Sequence, residues 1–221
     1  MRTPARAPLL TPPGVYAPHA DTELLARALR SESVGAHTRV LDLCTGSGAL
    51  ALLAARRGAR VTAVDISLRA VLTVRLNALL ARRPMTVLRG DLVSAVPDRT
   101  FDLVVTNPPY VPAPAPAPPA RGAARAWDAG PDGRVLLDRI CDSVPPVLRG
   151  GGILLLVHSA ICGTVPTLER LAAAGMDAEV TDRDAVPLGP VLRGRRDWLR
   201  SHGLLPDGDR EELVVIRARH S

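Results

Sequence analysis

Residues 39–48 read RVLDLCTGSG. The apolar run Arg39–Leu43 has the length of a short buried strand and carries Asp42 near its carboxyl end, with Cys44, Thr45, Gly46 and Gly48 directly after it. Leu50–Arg57 then reads as a helix. Glycines in such a turn let the backbone approach a ligand and leave amides exposed at the helix start. The GxG pair alone also suits dinucleotide binders. The third glycine of the dinucleotide fingerprint is absent, however, and Ala51 stands in its place.

The same rhythm continues outward. Arg60–Val64 is a strand ending at Asp65; Ser67 can cap a helix that places Leu68, Val71, Leu72, Leu76 and Leu79 on one side. Met85–Leu88 is a strand ending near Asp91, and Phe101–Val105 one ending at Asn107. Strand and helix alternating at this spacing predict a parallel, doubly wound α/β sheet. Ligands of such sheets bind beyond the carboxyl ends of the strands, where Asp42, Asp65, Asp91 and Asn107 all fall. Upstream, Asp21 or Thr22 can cap a helix with Leu24, Leu25, Ala28 and Leu29 on one face. Downstream, the spacing predicts helices over 132–143, 164–174 and 195–202, and strands at Ile153–Val157, Asp177–Thr181 and Glu212–Arg219.

Composition narrows the function. The chain has 221 residues, 47% of them hydrophobic, enough for a real core and too many for global disorder. It reads as one domain over 1–221, with a proline-rich arm over 1–20. Residues 111–131, beginning VPAPAPAPP, read as a Pro/Ala-rich loop on the substrate side, either a lid or a disordered insertion. The net charge is +6, yet all 28 basic residues are arginine and they are scattered, so a nucleic-acid partner is not favoured. Only five residues are aromatic, too few to stack a run of bases. Cys44, Cys141 and Cys162 lie far apart, which excludes a local metal knuckle and fits a reducing compartment. No apolar stretch approaches the roughly 20 residues of a membrane span, and prolines occupy the amino-terminal stretch where a signal peptide needs an apolar run. The expectation is a soluble, cytoplasmic protein without a metal.

Asn107-Pro108-Pro109-Tyr110 is the most informative tetrapeptide. The Asn107 side-chain oxygen and the Pro108 carbonyl are acceptors on a backbone that prolines stiffen and deprive of competing N–H groups. Together they can take both hydrogens of a planar amine or amide nitrogen, while Tyr110 stacks on the planar group. Such a site aims a nitrogen lone pair at an electrophilic carbon. No strong base is evident in the tetrapeptide; His158, just after a strand, is a candidate proton acceptor, although a structural core histidine is the reading the sequence favours.

DLCTGSG, VDIS, GDL and NPPY together resemble the class I S-adenosylmethionine-dependent methyltransferases, and most closely the HemK/PrmC family, which methylates a glutamine side-chain amide in peptide release factors. GVYAPHADT over 14–22 is similar to the entrance of that family's short form, which lacks the amino-terminal helical domain; AWDAGPDGR over 126–134 is similar to its substrate loop. The resemblance implies a Rossmann-like, mostly parallel seven-stranded sheet with an antiparallel carboxyl-terminal strand, and S-adenosyl-L-methionine as cofactor. It implies that Asp42, Cys44, Thr45, Gly46 and Gly48 hold the methionine portion and Asp65 the ribose. Ile66, Asp91 and Leu92 would serve the adenine, while Tyr16 and Thr22 close over the cofactor. Asn107, Pro108 and Tyr110 are the implied catalytic residues. A release factor is the implied protein substrate, and a small zinc-binding activator protein covering Met85–Leu88 an implied partner. Two other readings stay open at this point: methylation of another planar nitrogen, in a nucleic-acid base or a natural product, and a non-catalytic cofactor-binding module.

Overall fold

The structure, a computed structural model, describes residues 9–205 and 208–221. Most of the expected arm falls within them; residues 1–8 lie outside the described residues. Seven strands form one sheet in the order β3-β2-β1-β4-β5-β7-β6. These are β1 (Arg39–Leu43), β2 (Arg60–Asp65), β3 (Thr86–Arg89), β4 (Phe101–Thr106), β5 (Leu148–Ser159), β6 (Met176–Pro187) and β7 (Arg210–His220). The first five pair in parallel; β7 lies antiparallel between β5 and β6. The helices are α1 (Ala20–Ser31), α2 (Ala49–Arg56), α3 (Leu68–Leu80), α4 (Val135–Ser143), α5 (Thr164–Ala173) and the short α6 (Pro190–Gly194) and α7 (Arg196–Ser201). This is a Rossmann-like architecture.

The central strands are apolar on both faces because helices cover both. Val40, Leu41, Leu43, Val104, Val105 and Leu154 are fully buried. The direction of winding reverses at β1, whose Leu43 pairs with Val64 of β2 on one side and Thr106 of β4 on the other. Chain leaving β1 and β4 therefore diverges, and a cleft opens at their carboxyl ends.

One helix faces opposite to expectation. Ser67 does cap α3, its side chain accepting from the Ala70 amide. Val71 points inward, but Leu68, Leu72, Leu76 and Leu79 are exposed; the other inward residues are Ala70, Thr73, Val74, Asn77 and Ala78. The inner face must sit close to other backbone, and leucines are too large for that. Val74 touches the turn at Gly48, where a Cβ would come within 3.0 Å of Val74 Cγ1. Asn77 receives the arm: its Oδ1 accepts from the Leu10 amide at 2.9 Å, and its Nδ2 donates to the Leu10 and Ser47 carbonyls at 3.0 and 2.9 Å. An alternative inner stripe of Ala and Val, with one Asn, carries the packing.

The ends of other elements also moved. α4 begins at Val135 rather than 132, β5 and β6 are each twelve residues, and the expected helix over 195–202 is present as α7 with the short α6, not expected, directly before it. α1 is capped by neither Asp21 nor Thr22; its N-cap is His19, without a side-chain bond. The loop after β4 is pinned at both ends. Val111 donates to Trp127 O at 2.7 Å, Ala129 to Val111 O at 3.0 Å and Ala113 to Gly130 O at 2.8 Å. Arg195 adds an ion pair with Asp128 at 2.6 Å and a bond to Pro112 O at 3.0 Å.

Urea unfolding checks the inside-out reading of α3. Leu41→Ala, at the fully buried centre of β1, should lose about 2–5 kcal/mol through transfer and cavity effects. Leu72→Gln on the outer face of α3 should stay within about 0.5 kcal/mol of the parent.

Candidate active site

A cavity of about 300 Å³ occupies the divergence of β1 and β4. Its floor begins at the turn 44–48, which reverses direction through left-handed residues: Cys44 at φ 57°, Gly46 at 55° and Gly48 at 83°. Cys44 bears the strain of a non-glycine residue in that region. Asp42, 1% exposed, fastens the turn from below; its Oδ2 accepts from Thr45 Oγ1 at 2.6 Å and from the Ala51 amide at 2.9 Å. Its Oδ1 is buried with no partner. Burial pushes the Asp42 carboxyl up to about 7, against the opposing pull of the Thr45 and Ala51 bonds.

Asp65 ends β2 at the side of the cavity. Its Oδ2 accepts from the Gly46 amide at 3.0 Å and its Oδ1 from the Ser67 amide at 2.9 Å. Each oxygen keeps further lone pairs for a ligand hydroxyl. Burial raises this carboxyl, while the Ser67 and Gly46 amides and the Arg125 charge hold it down. Cys44, Gly46 and Ile66 share this wall, and Asp91 and Leu92 close one end of it. Asp91 is paired with Arg139 of α4 at 2.7 Å, a half-exposed contact.

Asn107, Pro108 and Tyr110 line the cavity as well, and Tyr16 does so while packing against the turn, where a Cβ at Gly46 would come within 3.5 Å of Tyr16 Cβ. Tyr110 is gripped from behind. Its carbonyl accepts from Cys162 Sγ at 3.0 Å, and Gly133, at φ 75°, packs so tightly there that a Cβ would collide with that carbonyl. Its hydroxyl donates to Asp21 Oδ2 at 3.0 Å, and Tyr16 Oη donates to the same oxygen at 2.6 Å. Burial, followed by the Asp21 charge, raises both phenols well above their ordinary value.

The structure thus brings Tyr16, Cys44, Gly46, Asp65, Ile66, Asp91, Leu92, Asn107, Pro108 and Tyr110 to one cavity. Asp42, Thr45, Gly48 and Thr22 stand behind its walls: the first three shape the turn, and Thr22 Oγ1 accepts from Asn107 Nδ2 at 3.3 Å. His158 is not at the cavity. It is fully buried in β5, its Nδ1 beside Ser159 O at 2.8 Å and its Nε2 without a partner. Burial lowers it to about 4, so it is a neutral core histidine rather than a proton acceptor. Sequence reasoning missed Asp21, Arg125 and Arg139. Asp21 had a signal, an acid in a helical first turn preceding a buried leucine pair; the two arginines reach the cavity only through the loop 111–131 and the packing of α4.

An open cavity, two strand-end carboxylates and a left-handed turn that brings backbone to its floor suit a ligand with a ribose diol, an aromatic base and an amino acid moiety. Methyl transfer from S-adenosylmethionine is the chemistry this class of site performs on class I folds. The comparisons agree. The sequence profile of the methyltransferase small domain matches residues 6–116. A provisionally named protein N5-glutamine methyltransferase of Methanocaldococcus jannaschii is 31% identical over 81% of this chain and 90% of its own. The release factor glutamine methyltransferase of Mycolicibacterium smegmatis is 36% identical over 77% of this chain, which spans 63% of that enzyme. Among solved structures, the E. cuniculi Mtq2–Trm112 complex, responsible for methylating the eRF1 termination factor, aligns with TM-score 0.68 and 25% identity over 94% of this chain and 99% of its counterpart. The chain belongs to the methyltransferase small-domain family and is an S-adenosylmethionine-dependent N-methyltransferase.

Asp65→Ala should weaken cofactor binding by about 2–3 kcal/mol in calorimetry, the scale of hydrogen bonds to a charged group. His158 gives a pH signature. Its folded pKa lies below the unfolded one, so its contribution is complete above about 6.5 and declines as pH falls through 6.5 toward 4. Asp42, raised in the fold, acts in the opposite sense over about 7 to 4. Stability curves of parent and His158→Gln should therefore differ in slope between pH 4 and 6.5, the variant gaining relative stability at the acid end.

Proposed function

We propose that the methyl acceptor is the side-chain amide of a glutamine in a release-factor-like protein. The observation that carries this reading is the position of Asn107 and Pro108 at the end of β4, with Tyr110 beside them, lining the same cavity as Asp65. Two fixed acceptors suit the two hydrogens of a primary amide. The relatives in archaea and bacteria support the same acceptor by what they are named for.

In this reading Asp65 takes the ribose hydroxyls, Ile66 packs on the adenine and Asp91 accepts from its amino group. The turn from Cys44 to Gly48 holds the methionine portion, with Asp42 beneath it; the unpartnered Asp42 Oδ1 suits a cationic amino group. The bound cofactor supplies an electrophilic methyl. Asn107 and Pro108 align the acceptor nitrogen and stabilise positive charge as it develops on it. A neutral amide is a weak nucleophile, so this alignment and the exclusion of water by the walls carry much of the rate.

The partner in this reading is a small protein that covers the β3 edge and the outer face of α3. β3 is an edge strand of only four residues, and Leu68, Leu72, Leu76 and Leu79 extend an apolar surface beside it. Residues 66–90 contain five arginines and no acid, which calls for an acidic partner rather than a second copy of this chain. The Mtq2–Trm112 assembly supports a two-protein arrangement.

Asn107→Ala should lower the single-turnover rate by more than tenfold, about 1.4 kcal/mol of barrier, with cofactor affinity nearly unchanged. Mass spectrometry of release-factor peptides, incubated with and without the enzyme, should find one methyl on a glutamine. Labelling of a lysate that survives protease but not nuclease would point instead to a base. A monodisperse, fully active monomer made alone would exclude an obligate partner.

A further inference from the structure

Asp21 belongs to no role assigned above, yet it is the most heavily bonded side chain behind Asn107 and Tyr110. It is 4% exposed and receives four donors. Oδ2 accepts from the Tyr16 and Tyr110 hydroxyls at 2.6 and 3.0 Å; Oδ1 accepts from the Thr22 amide at 2.5 Å and the Thr22 hydroxyl at 3.2 Å. Thr22 Oγ1 in turn faces Asn107 Nδ2 at 3.3 Å. Within α1 the carboxylate bonds only Thr22, the next residue, and the helix N-cap is His19, so capping the helix does not account for it.

Proton counting gives this chain a direction. An ionised carboxylate only accepts. Thr22 has one hydroxyl proton, and Asp21 takes it. The Thr22 oxygen can then only accept from Asn107, so the amino end of the Asn107 amide must turn to Thr22. Its oxygen is left for the cavity, where the acceptor nitrogen must be held. Asn107 could otherwise rotate by half a turn and present N–H groups to an amide that itself offers N–H groups. The same carboxylate tethers the Tyr110 ring at the other side of that nitrogen.

We propose that Asp21 is a positioning residue: through Thr22 it fixes which end of Asn107 faces the acceptor, and through Tyr110 it fixes the stacking platform. This rests on the acceptor reading given above for its consequence in catalysis, but not for the orientation of Asn107 itself.

Two measurements separate the two. The first needs no acceptor: NMR of the Asn107 side-chain amide in the parent, Asp21→Asn, Thr22→Val and Thr22→Ser proteins. Loss of the carboxylate or the hydroxyl should shift the Nδ2 protons and speed their exchange with water, and Thr22→Ser should restore the parent spectrum. Unchanged Nδ2 signals in Thr22→Val overturn the relay. The second is methyl transfer to a glutamine peptide. Thr22→Val, nearly isosteric and safe against misfolding if Asp21→Asn is not, should lose tenfold or more in kcat with cofactor Kd within twofold, and Thr22→Ser should recover most of that loss. A Thr22→Val enzyme within twofold of the parent kcat overturns the proposal. If the parent transfers no methyl to glutamine, the acceptor reading fails, and the NMR series alone decides the orientation of Asn107.

Discussion

The cavity exists because β1 turns sharply onto α2, and one carboxylate oxygen makes that turn possible. Asp42 Oδ2 gathers the Thr45 hydroxyl and the Ala51 amide, fastening the loop to the first turn of the helix that follows. The loop then offers its Gly46 amide to Asp65, which ties β2 to the same point. α3 supports the turn through Val74, packed under Gly48, and through Asn77, whose Nδ2 donates to the Ser47 carbonyl. Four elements thus meet at about ten residues, and every wall of the site is referred to that junction. A buried acid whose charge is disfavoured by its surroundings is an expensive anchor. Its short bonds to one hydroxyl and one amide offset part of that penalty.

Polar residues at strand ends were legible from the chain alone. Asp65 and Asn107 end their apolar runs at the same level of the sheet, one residue beyond the pairs Leu43 makes with Val64 and Thr106, and Asp91 follows just past the end of β3. The inner strands were equally plain, because burial on both faces leaves a continuous apolar run. α3 was not. Its pattern contains two apolar stripes, and periodicity favours the one with larger residues. The winner was decided by clearance: the Gly48 turn and the Leu10 segment lie close against the helix, and only Ala, Val and Asn fit there. Nothing local in the sequence reports that distance.

The support behind Asn107 and Tyr110 was not legible, for a related reason. Asp21 and Thr22 have the chemistry of helix caps, and in a single sequence a cap is the simpler account of both. The structure instead spends them on contacts 85 and 89 residues away, to Asn107 and Tyr110. His158 was legible: a histidine near a strand end invites a proton-transfer role, yet the simpler reading as a core histidine holds, its ring fully buried near the end of β5.

The loop after β4 is anchored like a suspension bridge. Backbone bonds at Val111, Ala113 and Ala129 and the Arg195–Asp128 pair hold the two piers, whereas the span over 114–123 is largely exposed. Pro118 and Gly122 of that span still line the cavity, so the part free to vary in length and composition is the exposed stretch 114–117 before them. Insertions there are inherited without penalty to the fold, since loop closure grows only slowly with length. A lineage of such enzymes can reshape the surface that greets a new macromolecular acceptor while Asn107 and Pro108 stay where they are.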